Sequence, residues 1–237
     1  MKGSRLVPNR DQSLLSIWFH VLVAVAVATN MSASSVSAGI DQTGTNLQRP
    51  PTWNVRYDQP GASGREHLVM RPGWHINPGP AAIFWDPGQF AAGAFSLTST
   101  IFLFPPGQGA PPSEVDTPYG LLVGGSGLDG ADPSWVVFLV RNDRQFQIAR
   151  RERSSTRDLV PWTPHKAIAV VSDESGGTAR NVMAIDVTAD AVAFFVNDEP
   201  VASLPRSAAP VEGTVGLRAG AGLSLHITDL VIGPNRR

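Results

Sequence analysis

Apolar positions along this chain come in short runs, four to ten residues long, divided by clusters of Gly, Pro, Asn and Asp. Beyond residue 65 the runs fall at 81–85, 95–104, 119–123, 135–141, 145–150, 166–171, 181–187, 191–196, 201–204, 214–218 and 223–232. Their β-branched and aromatic residues suit a pleated, half-buried surface. Near the C-terminus, Leu223, Leu225 and Ile227 alternate with Ser224, His226 and Thr228. That period of two predicts a strand with one dry face and one wet face. Past residue 28, no stretch joins helical periodicity to a cap and ten residues free of Gly and Pro. The pattern predicts an all-β domain of about eleven antiparallel strands in two packed sheets, the spacing of a sandwich.

Two hairpins can be read directly. Residues 135–140 meet 145–148 across Arg141-Asn142-Asp143-Arg144, and 191–196 meet 201–204 across Asn197-Asp198-Glu199-Pro200. Asn and Asp tolerate the positive φ that tight hairpin turns require. In the second hairpin Phe194 and Phe195 are adjacent, so they face opposite sides of the sheet.

The first 64 residues differ from the rest. Lys2, Arg5 and Arg10 precede an apolar run over 14–28, followed by small polar residues up to Gly39. This order of basic, apolar and small-residue regions marks a secretory signal over 1–38, cut after Ala38, with Ala33 as the alternative site. The run is shorter than the about 20 residues of a spanning helix, so no stable membrane insertion is expected after cleavage. The expected location is periplasmic or extracellular. Residues 39–64 are polar and turn-rich and read as a flexible leader, with an edge strand near 53–57; residues 65–237 read as the sandwich domain.

Composition narrows the partners. The 237 residues hold 19 basic and 20 acidic side chains, a net charge of -1. Without Lys2, Arg5, Arg10 and Asp11, sixteen bases and nineteen acids remain. A balance of this kind lacks the positive field that draws nucleic acid, and no nucleic-acid partner is expected. Cysteine is absent, which excludes disulfides, thiolate metal sites and cysteine catalysis. No cofactor and no metal site is expected. An exported domain of about 200 residues can bury enough core without disulfides.

Four segments carry a family resemblance: Asn181-Val-Met-Ala-Ile-Asp-Val187; Ala193-Phe-Phe-Val-Asn197 with Pro200-Val201; Gly213-Thr-Val-Gly-Leu-Arg218; and His226-Ile-Thr-Asp-Leu-Val-Ile232. Their succession resembles the closing strands of concanavalin A-like lectin/glucanase jelly rolls. It is similar to the bacterial 3-keto-disaccharide hydrolase domains and to laminin-G-like domains. The resemblance extends back to Trp74 and implies a jelly-roll sandwich of two antiparallel sheets. It also implies an association with carbohydrate, through binding or an accessory role. Its alternatives are a glycoside hydrolase or lyase of the 3-keto-disaccharide hydrolase type, or a structural or adhesion domain. The catalytic strand of family 16 hydrolases reads Glu-x-Asp-x-x-Glu. Here Glu114-Val-Asp116 is followed by Thr117-Pro118-Tyr119, the second Glu is missing, and that mechanism does not transfer.

Other chemistry is sparse. Gly125-Ser-Gly-Leu-Asp-Gly130 matches a dinucleotide fingerprint but is followed by Ala131-Asp132-Pro133-Ser134 and another strand, where a phosphate site needs a helix N-terminus. It reads as a plain loop, and Asp129 and Asp132 as solvated turn residues. Should the chain prove to be an enzyme, Glu114, Asp116, Asp129 and Asp132 are its candidate acids. Sugars stack their C–H faces on aromatic rings and bond their hydroxyls to planar polar groups. Trp74 beside His75, and Trp162 three residues before His165, are the ligand-binding candidates of that type. In the basic run Arg150-Arg151-Glu152-Arg153, Arg151 is a further candidate, because a guanidinium suits a carboxylate and hence a uronic acid.

Overall fold

A computed structural model describes residues 52–63, 67–105, 116–172, 175 and 177–235, all within one compact unit, Thr43–Arg237. The expected signal segment, most of the leader and Glu114 lie outside the described residues.

In chain order the strands are β1 (Asn54–Tyr57), β2 (His67–Val69), β3 (Trp74–Ile76), β4 (Ala82–Ala91), β5 (Phe95–Phe104), β6 (Tyr119–Ser126), β7 (Ser134–Val140), β8 (Gln145–Glu152), β9 (Ser155–Pro164), β10 (Ala179–Val187), β11 (Ala191–Val196), β12 (Glu199–Pro205), β13 (Gly213–Ala219), β14 (Ser224–Ile227) and β15 (Val231–Gly233). One sheet has the order β1-β4-β13-β6-β7-β8-β9; the other runs β12-β11-β10-β5-β14-β3-β2, with β15 continuing beside β5. Every pairing is antiparallel. The only helical element among the described residues is one 3-10 turn, Arg206–Ala208. This is the predicted all-β jelly-roll sandwich.

The core fills the space between the sheets. In β5, Phe95, Leu97, Ile101 and Leu103 point inward, while Thr98, Thr100, Phe102 and Phe104 are half-exposed, the alternation that the sequence pattern predicts. From the facing sheet come Phe84, Leu121, Val123, Phe138, Phe146, Ile148 and Leu217. Phe138 of β7 meets Phe194 of β11 edge-on at 5.2 Å, joining the two layers. Phe195 turns to the other side of its strand and is buried there as well.

The short strands β2 and β3 match no run of the pattern, and three further elements differ from the sequence expectation. Residues 166–171 have strand-like composition yet pair with no strand. Side chains hold their backbone instead: Asn181 bonds both Ala169 N and Ala169 O at 2.9 Å, Asn197 Nδ2 donates to Ala167 O, Arg144 donates to Ile168 O, and Asn142 Oδ1 accepts from Val171 N. Ile168 is thereby driven fully into the core. Next, the polar stretch Ser155–Pro164 forms β9. It pairs with β8 alone, and an edge position tolerates both its exposed polar residues and its Pro161. Finally, the 223–232 run is broken into β14 and β15. Asp229 takes the place of a ladder residue: its carboxylate accepts from Thr100 N at 2.8 Å and its carbonyl from Ser99 Oγ at 2.7 Å.

The β11–β12 hairpin has a two-residue turn in which Asn197 (φ 51°) and Asp198 (φ 66°) are both left-handed, with Val196 paired to Glu199. In the β7–β8 turn the left-handed residue is Arg144 (φ 63°), while Asp143 caps Gln145 N. The glycine-rich segment after β6 leads to β7 with no helix between them.

Candidate functional site

β6 and β7 do not alternate: seven of eight and six of seven residues are buried. Both faces of these strands must therefore be covered. The inner face meets the second sheet. On the outer face Trp135, Val137 and Leu139 of β7 pack with Ile83 and Trp85 of β4, Leu122 of β6 and Ala149 of β8 in a second apolar cluster. Leu128 folds onto this cluster from the glycine-rich loop.

An open groove of about 630 Å³ lies on that face. Its volume is in the range of about 300–1,000 Å³ common to small-ligand sites. Ile83, Trp85 and Trp135 form its apolar floor. Edge strand β1 supplies one wall with Asn54 and Arg56, continued by Asp58 just after it; the loop bearing Asp129 and Gly130, and Arg151 of β8, supply the others.

The positions of these side chains follow from register. Arg56 stands opposite Ile83, and Asn54 opposite Trp85, so β1 turns these two residues to the outer face. Arg56 then reaches the glycine-rich loop and donates to Leu128 O at 2.9 Å and Gly130 O at 2.7 Å, pinning the loop against the edge strand. Gly216 of β13 is required beside the floor. A Cβ there would stand 2.2 Å from the Phe84 carbonyl and 3.1 Å from Trp85 Cβ. Arg218, also of β13, grips Asp58 with two hydrogen bonds of 2.5 Å, which occupy both carboxylate oxygens. The Asp129 carboxylate has no hydrogen bond or ion pair within the described residues. No group of three metal-ligating side chains occurs among the described residues.

Of the residues singled out in the sequence, Arg151 lines the groove. Its guanidinium lies over the Trp135 ring at 5.2 Å. Trp162 sits on the same outer face but at its far edge, against the second cluster, with the Arg141 guanidinium 4.1 Å above its ring. His165 organises the turn after β9: its Nδ1 accepts from Ala167 N at 3.3 Å and its ring packs edge-on to Phe146.

Trp74 and His75 belong to the other sheet and face opposite ways. Trp74 packs inward, its ring 4.8 Å from that of Trp53. His75 points outward, across from His226 in register, with the ring centroids 6.3 Å apart and Ser224 Oγ 3.1 Å from its Nε2. Burial, and secondarily the His226 charge, hold the His75 pKa down at about 4. His226 is lowered too, by burial, against the opposing effect of its bond to the Pro72 carbonyl.

Arg56, Asp58, Trp85, Trp135 and Arg218 carry no motif that marks them in the sequence. One signal was available: 81–85 and 135–140 are apolar at both parities, so each must be covered on two sides.

Two stacked antiparallel sheets in this order define a class by fold alone, the concanavalin A-like jelly roll. Within that class the chain is similar in fold to the carbohydrate-binding module CBM66 from Bacillus subtilis, with TM-score 0.54 and 10% identity over 79% of this chain and 97% of that one. It is also similar to the catalytic domain of an endo-1,3-beta-glucanase (laminarinase) from Thermotoga petrophila, with TM-score 0.52 and 10% identity over 81% and 94% of the two chains. A Bacillus licheniformis beta-glucanase gives TM-score 0.51 and 10% identity over 81% and 95%. No family model and no curated protein matches the chain.

Proposed function

We propose that this chain binds carbohydrate in the groove on the outer face of the seven-stranded sheet and does not cleave it. The observation that carries the reading is the groove itself, with Arg56, Arg151 and Asp129 around an apolar floor. Both indoles are buried, 5% and 7% exposed, so they close the floor, and the contacts to a sugar's hydroxyls fall to the polar rim. The fold that this chain shares with a carbohydrate-binding module and with glucanases supports the same reading.

Glycoside hydrolysis usually needs two carboxyl groups, one protonated and one ionised. Of the two carboxylates among the described residues of the groove, Asp58 is committed to Arg218, which leaves Asp129. This favours binding over catalysis. We also hold that residues 1–38 act as an export signal cut after Ala38, which would put the groove in contact with extracellular or periplasmic glycans. N-terminal sequencing of the secreted protein checks the cut; a soluble chain beginning at Met1 contradicts it.

The functional test is a glycan array probed with the protein, followed by chromatography of each retained glycan after prolonged incubation. The expected result is retention without new products. Retention of no glycan refutes the proposal. Release of shorter products transfers the assignment to a hydrolase or lyase, with Asp129, Asp116 and Asp132 the first acids to replace.

A further inference from the structure

We infer that the ligand of this groove carries a carboxylate and that Arg151 reads it, so the substrate class is an oligouronide or another acidic sugar; this rests on the carbohydrate reading of the groove. The argument begins with the basic run around Arg151. Arg150 is paired with Glu152 at 3.3 Å, and Arg153 with Asp132 at 3.4 Å. Arg151 has no acidic partner within the described residues. Its Nε donates to the Arg153 carbonyl at 3.0 Å, and its guanidinium carbon lies over the Trp135 ring, 5.2 Å from the centroid. These two contacts restrain the group, and its Nη1 and Nη2 have no acceptor within the described residues, at the wall of an open groove.

A guanidinium held over an indole, with its forked donors unused by the described residues, is a preorganised carboxylate receptor. Two parallel charge-assisted bonds can form with little further ordering of the side chain. The surrounding charge is compatible. Asp58 is neutralised by Arg218, and Arg56, held by two carbonyls, adds a second cation that has no carboxylate partner among the described residues. Among the described residues of the groove, Asp129 is the one uncompensated acid. It stands on the loop, where it can accept from ring hydroxyls while the sugar carboxylate faces β8.

The test is calorimetric titration of the full chain with tetramers of galacturonate, glucuronate and mannuronate, each beside its carboxyl-reduced neutral counterpart. At least one uronide is expected to bind tenfold or more tightly than its reduced form, and less tightly as salt rises. Arg151→Gln should remove that preference, bringing the acidic and neutral forms to within about twofold of each other. Arg151→Lys keeps the charge but loses the fork, and should recover only part of the preference. Thermal melts of both variants establish that they are folded. If neutral tetramers bind as tightly as acidic ones and Arg151→Gln changes nothing, the acidic-sugar inference is overturned while the carbohydrate reading stands. A uronide preference that survives in both variants also overturns it, since the carboxylate is then read elsewhere. If no tetramer binds, the carbohydrate reading fails and this inference with it.

Discussion

Asn181 is the most connected polar residue of the core. It is fully buried, and its amide bonds the Tyr119 hydroxyl at 2.9 Å, both backbone groups of Ala169, and the Asn197 amide at 3.1 Å. Burial pushes the Tyr119 phenol up to about 12, against the opposing effect of its bond to Asn181. Asn181→Ala should destabilise the fold by about 3 kcal/mol or more, because several buried donors and acceptors lose their partner at once. Urea unfolding checks this; a change well under 1 kcal/mol would show that water replaces the amide. In the sequence this Asn opens a plain strand motif, and nothing marks it as the clamp of a segment twelve residues upstream. A side chain that substitutes for a strand is a tertiary event, which is why 166–171 misleads when read by composition. The same limit hides the groove residues. Arg151 was legible from its charge run, but Arg56 and Asp58 become site residues only when β1 pairs with β4.

At the scale of elements, alternation was a good guide where one face is wet, as in β5 and β14, and a poor one where both faces are covered, as in β7. The pair β3–β14 carries a further consequence. His75 faces His226 across these strands, and folding holds His75 neutral down to about pH 4, where the free side chain titrates at 6.5. As pH falls from 6.5 towards 4 the unfolded chain therefore binds a proton that the folded one refuses, and stability is lost across that window. Above 6.5 neither state binds it, and His75 contributes no pH dependence. Urea midpoints measured from pH 7 to pH 4 should fall, and His75→Gln should shallow the fall. An equally steep fall in the variant would assign the effect to other groups.

At the scale of the whole molecule, two antiparallel sheets and a cysteine-free core were legible, because strand spacing and the closing motifs 181–187, 193–201, 213–218 and 226–232 are local signals. The groove was not, because it is made by distant strands and one loop meeting on a face that the pattern assigns to neither core nor solvent. Its function as a glycan site is the central claim, and one measurement tests it most directly. Asn54 is exposed on the edge strand and turned toward the groove, so Asn54→Trp should fill the mouth without disturbing the core. Calorimetric titration of the best array glycan into the wild type and this variant is predicted to show a loss of affinity of about thirtyfold or more, about 2 kcal/mol. Equal affinity in a variant that melts like the wild type would contradict the account and place the ligand elsewhere on the molecule.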